Sequence, residues 1–417
     1  MTRILILFNS RKRFFLFSFL RIASMALGLV SNIFIVRKLD VDDYGVFSVA
    51  LLVVNLLTTF GFSWSSSSIL YFGSREKELY GSINKTFWAR NIIIIISLLF
   101  ISFGIILFRH QINNYIGLNI WYLLLPWLYV SVIEDYLNQY YLATKKQIRS
   151  SLLSINAKLI YIILLIFIPF DVKTLIIIYI LSHATTILYI LGINKRDIGK
   201  YEFDKDWFKQ VFNFSIWQLF GFSGLYLINF GDIAVIKHFM SNYEVGLYNA
   251  AYQLFNAVAS FSYVISSYYA SNISAYFAGN KRNNIKKFYY KERLFISLIS
   301  LLGHLLLIFI SKPLITLLYG SEYNKSSGIF NILMIGSVLR YLTVFYMLYY
   351  NTNGKHKIQQ LLNIFNAIMN VLLSIILVNL FGLYGPAIAT VITFSFSLLF
   401  SFFYCEKRIR KFVTESR

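Results

Sequence analysis

The chain has 417 residues, of which 58% are hydrophobic, 18% are aromatic and only 14% are charged. A soluble domain carries charge on about a quarter of its residues, so this composition excludes an ordinary soluble fold. The formal net charge of +21 would suggest nucleic-acid binding in a soluble protein. Here the basic residues are dispersed over segments that flank apolar stretches, where they can meet anionic lipid head groups. The single cysteine, Cys405, excludes an intramolecular disulfide.

Apolar stretches long enough to cross a bilayer follow one another along the whole chain. An α-helix needs about 20 apolar residues to span the hydrocarbon core, at a rise of about 1.5 Å per residue. We therefore predict an all-α polytopic membrane protein with about 12 transmembrane helices. The predicted spans lie near residues 14–36, 44–64, 88–108, 118–142, 151–168, 172–192, 212–236, 246–270, 294–311, 328–350, 360–380 and 384–404.

Lysine and arginine are concentrated on every second loop between these spans. Short loops rich in these residues stay in the cytoplasm. One side of the membrane holds 29 of the 39 basic residues, Arg90 among them, and three others lie inside spans. The opposite side holds Arg37, Lys38, Arg109, Lys173, Lys237, Lys312 and Lys325. This asymmetry predicts that both termini are cytoplasmic.

The two halves of the chain carry a similar junction between spans, about 200 residues apart. Residues 33–50 read IFIVRKLDVDDYGVFSVA, and residues 233–251 read IAVIKHFMSNYEVGLYNAA. Both junctions lie on the same side by the charge count, which indicates a parallel repeat of six spans. We predict an N-terminal lobe at 1–193, a cytoplasmic linker at 194–211, a C-terminal lobe at 212–405 and a basic cytoplasmic tail at 406–417. Transporters built from such repeats carry the substrate path between the halves.

Several motifs occur in the order found in one family of transporters. The first is Arg37-x-Leu39 followed by Asp43-Tyr44-Gly45-Val46-Phe47, and the second is Gly231-Asp232 followed by residues 244–252. Two more are Leu318-Tyr319-Gly320-Ser321-Glu322-Tyr323, and Asn353-Gly354-Lys355-His356-Lys357 followed by Asn370 and residues 381–390. Together these motifs resemble the Wzx-type polysaccharide (O-antigen) flippases of the multidrug, oligosaccharidyl-lipid and polysaccharide (MOP) exporter superfamily.

The resemblance implies two six-helix lobes, the MOP exporter fold, and a non-enzymatic transporter of the inner membrane. It implies that an undecaprenyl-pyrophosphate-linked oligosaccharide crosses the membrane by alternating access, for O-antigen or another surface polysaccharide. The further partners it implies are membrane lipids, an H⁺ or Na⁺ coupling ion and a polysaccharide polymerase. No cofactor and no nucleic acid are expected.

Six ionisable residues inside the predicted spans are candidate functional residues, since charges at bilayer depth usually face a cavity or a partner. We predict that Arg21, Lys158 and Arg340 bind the pyrophosphate, because guanidinium and ammonium groups both suit phosphate oxygens. We predict that Glu134, Asp135 and Asp232 couple transport to an ion. Alternatives remain open: the first-lobe cations pair with Glu134 and Asp135 or snorkel to the inner interface, and Asp232 has a capping or lipid-edge role. His183 and His304 are predicted to be packed, hydrogen-bonded residues.

Two rival functions are open at this stage. A drug or organic-cation exporter of the same superfamily would favour carboxylates in its cavity, whereas three of the candidates here are cations. A membrane glycosyltransferase or polymerase could use the acidic run at residues 40–43, but it generally needs a larger outer loop than residues 311–327 provide. No glycine-rich phosphate loop of an ATPase occurs, which favours an ion gradient as the energy source.

Overall fold

The computed structural model describes residues 2–193, 200–353 and 355–414. Every regular element in these three ranges is helical. The long helices are α1 (Thr2–Lys38), α2 (Val41–Gly61), α5 (Asn84–Leu107), α7 (Trp121–Ala143), α8 (Gln147–Phe167), α9 (Val172–Ile193), α10 (Lys205–Phe239), α11 (Asn242–Ala278), α13 (Arg293–Phe309), α15 (Ser326–Thr352), α16 (His356–Phe381) and α17 (Gly385–Thr414). The short helices are α3 (Ser66–Ser68), α4 (Ser74–Tyr80), α6 (Arg109–Ile116), α12 (Arg282–Lys287) and α14 (Ser311–Tyr319).

Each predicted span coincides with one long helix, so the all-α prediction is confirmed. By length and hydropathy alone, eight helical runs within the described ranges could cross a membrane, or ten if each of two bent helix pairs is one span. One of the eight runs, Lys357–Thr414, takes in both α16 and α17. The chain is therefore a polytopic helical membrane protein.

The two repeated junctions begin their second helices with the same kind of polar cap. Asp40 precedes α2, and its side chain accepts a 2.7 Å hydrogen bond from the Asp43 amide. Ser241 precedes α11 and forms a reciprocal capping box with Glu244. Such caps satisfy amide groups that have no partner inside the helix. The acidic run at residues 40–43 thus starts a helix, which explains it without a transferase metal site.

Sharp changes of direction have local causes in the sequence. The α6 and α7 axes are bent by 89°. Asn113 stabilises this corner, because its Oδ1 accepts 3.1 Å hydrogen bonds from the amides of Ile120 and Trp121. At the start of α17 an added Cβ on Gly385 would lie 2.4 Å from the Leu377 carbonyl. Only glycine fits at this turn between α16 and α17.

The chain separates into two compact units, with the division between Tyr226 and Leu227 inside α10. In the first unit, α1 packs on α8, and α7 packs on α8 and α9. In the second unit, α11 packs on α15, and α17 packs on α15 and α16. The domain limits predicted from the sequence stay a prediction, and linker residues 194–199 and tail residues 415–417 lie outside the described residues.

The predicted linker is in part helical and contacts the first unit. The Trp207 indole donates a 2.9 Å hydrogen bond to Thr86, and the Trp88 indole donates one of 2.9 Å to the Lys200 carbonyl. Lys85 lies 2.9 Å from Asp204. The predicted tail is likewise helical up to Thr414, with Ile409 buried in the core of the second unit.

Candidate substrate and ion-coupling sites

Arg21 lies on α1, and the contacts that the described residues make with it are with neutral groups. Its guanidinium donates a 3.3 Å hydrogen bond to the Ser150 hydroxyl on α8 and lies 5.4 Å from the centre of the Phe17 ring. Ser150 in turn donates a 2.9 Å hydrogen bond to Asn138 on α7. Arg21 is only partly buried, so the guanidinium N–H groups that do not contact Ser150 can donate to an anion.

Lys158 on α8 is held against the facing helix α1. Its ammonium donates to the Ser24 carbonyl at 2.8 Å and to the Ser24 hydroxyl at 3.1 Å. The ammonium also lies close to Gly28, where an added Cβ would be 3.4 Å from Lys158 Nζ. In the described ranges neither Arg21 nor Lys158 forms an ion pair within 4 Å, and Glu134 and Asp135 have other partners.

Glu134 on α7 is paired with His183 on α9. The carboxylate oxygen lies 2.5 Å from His183 Nδ1, and both side chains are largely buried. Tyr179, one turn before His183, stacks on the imidazole with ring centres 4.0 Å apart. This pair links two neighbouring helices of the first unit.

Asp135 is paired with Arg90, a residue that the sequence analysis did not select. Arg90 Nη2 lies 3.2 Å from an Asp135 oxygen and 2.8 Å from the Ser66 hydroxyl. Ser66 also donates to Asp135 at 2.5 Å. The Arg90 side chain is completely buried, whereas that of Asp135 is 41% exposed.

The assignment of Arg90 to a cytoplasmic loop is therefore wrong. Helix α5 begins at Asn84, so Arg90 lies almost two turns inside it. Its packing above the Tyr136 ring, at 5.1 Å from the ring centre, covers the face of the guanidinium. The available signal was its position inside the predicted span 88–108.

Asp232 on α10 is buried at 3% exposure and receives three hydrogen bonds from hydroxyl groups. Tyr248 on α11 donates at 2.6 Å, Ser374 on α16 at 2.9 Å and Thr390 on α17 at 2.9 Å. Among the residues that the structure describes, none places a cationic group within 4 Å of this carboxylate. Its burial also excludes the lipid-edge alternative.

Asn370 is linked to this carboxylate through Thr390. Asn370 on α16 donates its amide to the Thr390 hydroxyl at 3.1 Å, while its Oδ1 is buried and accepts no hydrogen bond within the described part of the chain. Hydroxyl and carboxylate oxygens from four helices, α10, α11, α16 and α17, thus meet around Asp232. Such oxygen-rich sites suit a proton or a hard cation.

Arg340 on α15 contacts Tyr263 on α11. Its guanidinium donates to the tyrosine hydroxyl at 2.5 Å and lies 4.7 Å from the ring centre. Arg340 is partly exposed, and in the described ranges it has no carboxylate within 4 Å. The nearby His304 is buried and contacts Ser300 and Ser337 at 2.7 and 2.8 Å, so its prediction as a hydrogen-bonded residue is confirmed, as is that of His183.

Comparison with known proteins identifies relatives of this chain in sequence and in structure. The chain is 22% identical over 376 residues to a Haloferax volcanii protein named as the probable low-salt glycan biosynthesis flippase Agl15, covering 87% of this chain and 76% of that protein. The structure resembles the lipid II flippase MurJ with a TM-score of 0.75 and 18% identity, over 96% of this chain and 90% of MurJ.

It also resembles a multidrug resistance MATE family transporter of the MOP superfamily in its inward-facing conformation. That likeness has a TM-score of 0.73 and 17% identity, and covers 94% of this chain and 96% of the transporter. The predicted MOP exporter fold is confirmed by these likenesses. The model of the polysaccharide biosynthesis protein family matches residues 34–328, and the chain belongs to that family.

Proposed function

We propose that this protein is a flippase that moves an undecaprenyl-pyrophosphate-linked oligosaccharide across the cytoplasmic membrane. Membership of the polysaccharide biosynthesis protein family supports a glycan cargo. The names of two relatives, a glycan biosynthesis flippase and a lipid II flippase, support lipid flipping as the reaction. We place the protein in the inner membrane with both termini in the cytoplasm, on the distribution of its basic loops.

The observation that carries the cargo assignment is the set of cations with neutral partners. Arg21, Lys158 and Arg340 donate to serine and tyrosine oxygens and a backbone carbonyl, and form no ion pair among the described residues. A cation at bilayer depth whose hydrogen bonds go to neutral groups lacks a counter-charge in direct contact, which is costly unless it serves a ligand. The two phosphates of the lipid carrier would supply that counter-charge.

A multidrug exporter is the second candidate, because one structural relative is a multidrug transporter. A lipophilic cation would be repelled by three cationic side chains and would need an accessible carboxylate. The candidate carboxylate Asp232, which has no cationic group within 4 Å among the described residues, is 3% exposed and surrounded by hydroxyl donors. The charge pattern therefore favours the anionic cargo.

We assign ion coupling to Asp232. A buried carboxylate without a cationic partner is unfavourable, and a proton or Na⁺ bound there would neutralise it. The hydroxyl groups of Ser374 and Thr390 and the Asn370 oxygen can rotate or turn toward a bound cation. Ion binding would then favour whichever conformation offers the better site. Glu134 and Asp135 stay predictions for this role, and their contacts with His183 and Arg90 favour a structural one.

The test of the cargo is flipping of lipid-linked oligosaccharide in proteoliposomes. We expect Arg340→Ala to lower the rate at least tenfold and Arg340→Lys to restore only part of it, since a lysine cannot form the bidentate contact. Lys312→Ala, outside the spans predicted from the sequence, is the control and should keep the wild-type rate. Transport of a lipophilic cation but not of the oligosaccharide would instead establish the multidrug function.

Reporter fusions test the orientation separately. A reporter inserted after Lys200 and one at the C-terminus should both give a cytoplasmic signal. A periplasmic signal from either would contradict the arrangement of two six-span halves.

A further inference from the structure

A groove of about 730 Å³ lies between the start of α13 and the last turns of α17 in the second unit. Its lining includes the side chains of Arg293, Leu294, Phe403, Lys407, Arg410 and Lys411. None of these residues belongs to the ion site at Asp232. The groove therefore needs its own explanation.

The floor of the groove is a fixed arginine. Arg293 Nη2 lies 2.6 Å from Glu406, and Tyr346 donates to the same carboxylate oxygen at 2.8 Å. Tyr346 also lies under the guanidinium, 4.9 Å from its centre. The other terminal nitrogen, Arg293 Nη1, is buried and has no acceptor within the described residues. An anionic oxygen at the floor would supply one.

The walls divide into an apolar half and a basic half along one face of α17. Leu294 is 57% exposed and Phe403 is 70% exposed. Lys407, Arg410 and Lys411 lie four, seven and eight residues after Phe403, so they are on the same side of the helix. The carboxylate of Glu406 is already used by Arg293, which leaves the rim strongly positive.

This change from apolar to basic falls where the helix leaves the hydrocarbon. Helix α17 has 30 residues, which is about 45 Å of helix, whereas the hydrocarbon core is about 30 Å thick. About 20 residues therefore lie in hydrocarbon, and Phe403 is the nineteenth residue of the helix. Lys407, Arg410 and Lys411 then lie at the depth of the lipid head groups.

We propose that this groove is a binding site for an anionic phospholipid of the bilayer. The head-group phosphate would lie against Lys407 and Arg410 above Arg293, and an acyl chain would lie along Leu294 and Phe403. A free phosphate or a sugar phosphate would use only the basic half and leave the large exposed phenylalanine unexplained. Basic pockets between transmembrane helices are known to hold anionic lipids.

Helix α17 offers a matched control for the test. Arg410 lines the groove, whereas the neighbouring Arg408 is not part of its lining and lies over the Tyr404 ring at 3.6 Å. Both are exposed arginines two residues apart on one helix, so Arg410→Gln and Arg408→Gln remove the same charge from the same region. Phe403→Ser tests the apolar half.

The experiment is titration of the purified protein with phosphatidylglycerol or phosphatidylethanolamine, with bound lipid counted by native mass spectrometry. We expect Arg410→Gln to weaken phosphatidylglycerol binding about fivefold, the equivalent of about 1 kcal/mol for one cation near a head group. Phe403→Ser should also weaken it, and Arg408→Gln should not. Glycerol phosphate, which has the head group without acyl chains, should not compete.

Equal losses in Arg410→Gln and Arg408→Gln would show that the lipid follows overall charge and would overturn the proposal. Full competition by glycerol phosphate would overturn it as well, because the acyl chain would then make no contribution. Equal binding of phosphatidylethanolamine would remove the requirement for an anionic lipid. Circular dichroism of each variant confirms that its helices are intact.

Discussion

The candidate coupling carboxylates of the two units are stabilised in different ways. In the first unit, Asp135 lies 3.2 Å from Arg90 and Glu134 lies 2.5 Å from His183. In the second unit, the hydrogen bonds that Asp232 receives from the described residues all come from hydroxyl groups. A carboxylate beside a cation is already neutralised as a pair, whereas a carboxylate among neutral donors keeps its charge until an ion arrives. This difference supports our proposal that Asp232 is the ion site and that Glu134 and Asp135 are packing residues.

This comparison is tested most directly by Asp232→Asn, for which we expect the largest effect. The amide keeps the shape of the carboxylate and removes the charge, so gradient-driven flipping should fall to the rate without a gradient. The measurement is oligosaccharide flipping in proteoliposomes with an imposed proton or sodium gradient. Asp206→Asn, an exposed position on the same helix, is the control and should keep full coupling.

If Asp232→Asn still responds to both gradients, the ion site lies elsewhere. A response to sodium alone in the wild type would identify the ion. The variants Ser374→Ala and Thr390→Val then measure how much each hydroxyl group contributes to coupling. Each variant removes one hydroxyl and leaves the carboxylate in place.

Asp135→Asn should change stability rather than coupling. It leaves the fully buried Arg90 without a counter-charge, which we expect to cost about 2–3 kcal/mol. This is less than for a completely buried pair, since the Asp135 side chain is 41% exposed. The measurement is thermal unfolding in detergent, with flipping per folded molecule assayed in parallel.

The double variant Arg90→Gln with Asp135→Asn is the matched control. It removes both charges, so part of the lost stability should return, as expected for two groups that interact directly. Loss of gradient response in the stable double variant would assign coupling to the first unit and contradict the comparison.

Much of the fold follows from hydropathy, while the partners within the site do not. Each predicted span coincides with a long helix because a run of about 20 apolar residues has few alternatives in lipid. The partners of Asp135 and Asp232 do not follow from hydropathy, because they are distant in the sequence. Arg90 is 45 positions from Asp135, and Thr390 is 158 positions from Asp232. Which of them meet depends on how each helix is rotated, and one sequence does not fix that rotation.

The partners of Arg21 and Lys158 could not be predicted from the sequence either. The sequence places both inside spans of the first half, which makes pairing with Glu134 and Asp135 a reasonable alternative. In the structure they donate to Ser150 and Ser24 instead. Only the helix contacts of α1 with α8 decide between these outcomes.

Glu134→Gln should have a smaller effect than either aspartate substitution. The amide oxygen can still accept a hydrogen bond from His183, so only the charge of the pair is lost. We expect a loss of about 1 kcal/mol in unfolding free energy and unchanged coupling. His183→Gln is the companion variant, and it should give a loss of similar size if the two groups act as one pair.

The smallest effect is expected at Asp204, outside the membrane spans. The Trp207 amide donates to its carboxylate at 3.0 Å and Lys85 lies at 2.9 Å, and together they hold the pKa of Asp204 below its usual value. A lowered pKa in the folded state stabilises the protein above the unfolded pKa of about 3.9, and this stabilisation is lost as the pH falls through the folded pKa. Asp204→Asn should therefore lower the unfolding temperature slightly at pH 6 and by less at pH 3. The control is Glu202→Gln, whose carboxylate lies 3.9 Å from the same lysine and should matter less. A difference from wild type that is equal at both pH values would mean that the aspartate acts through its shape and not through its charge.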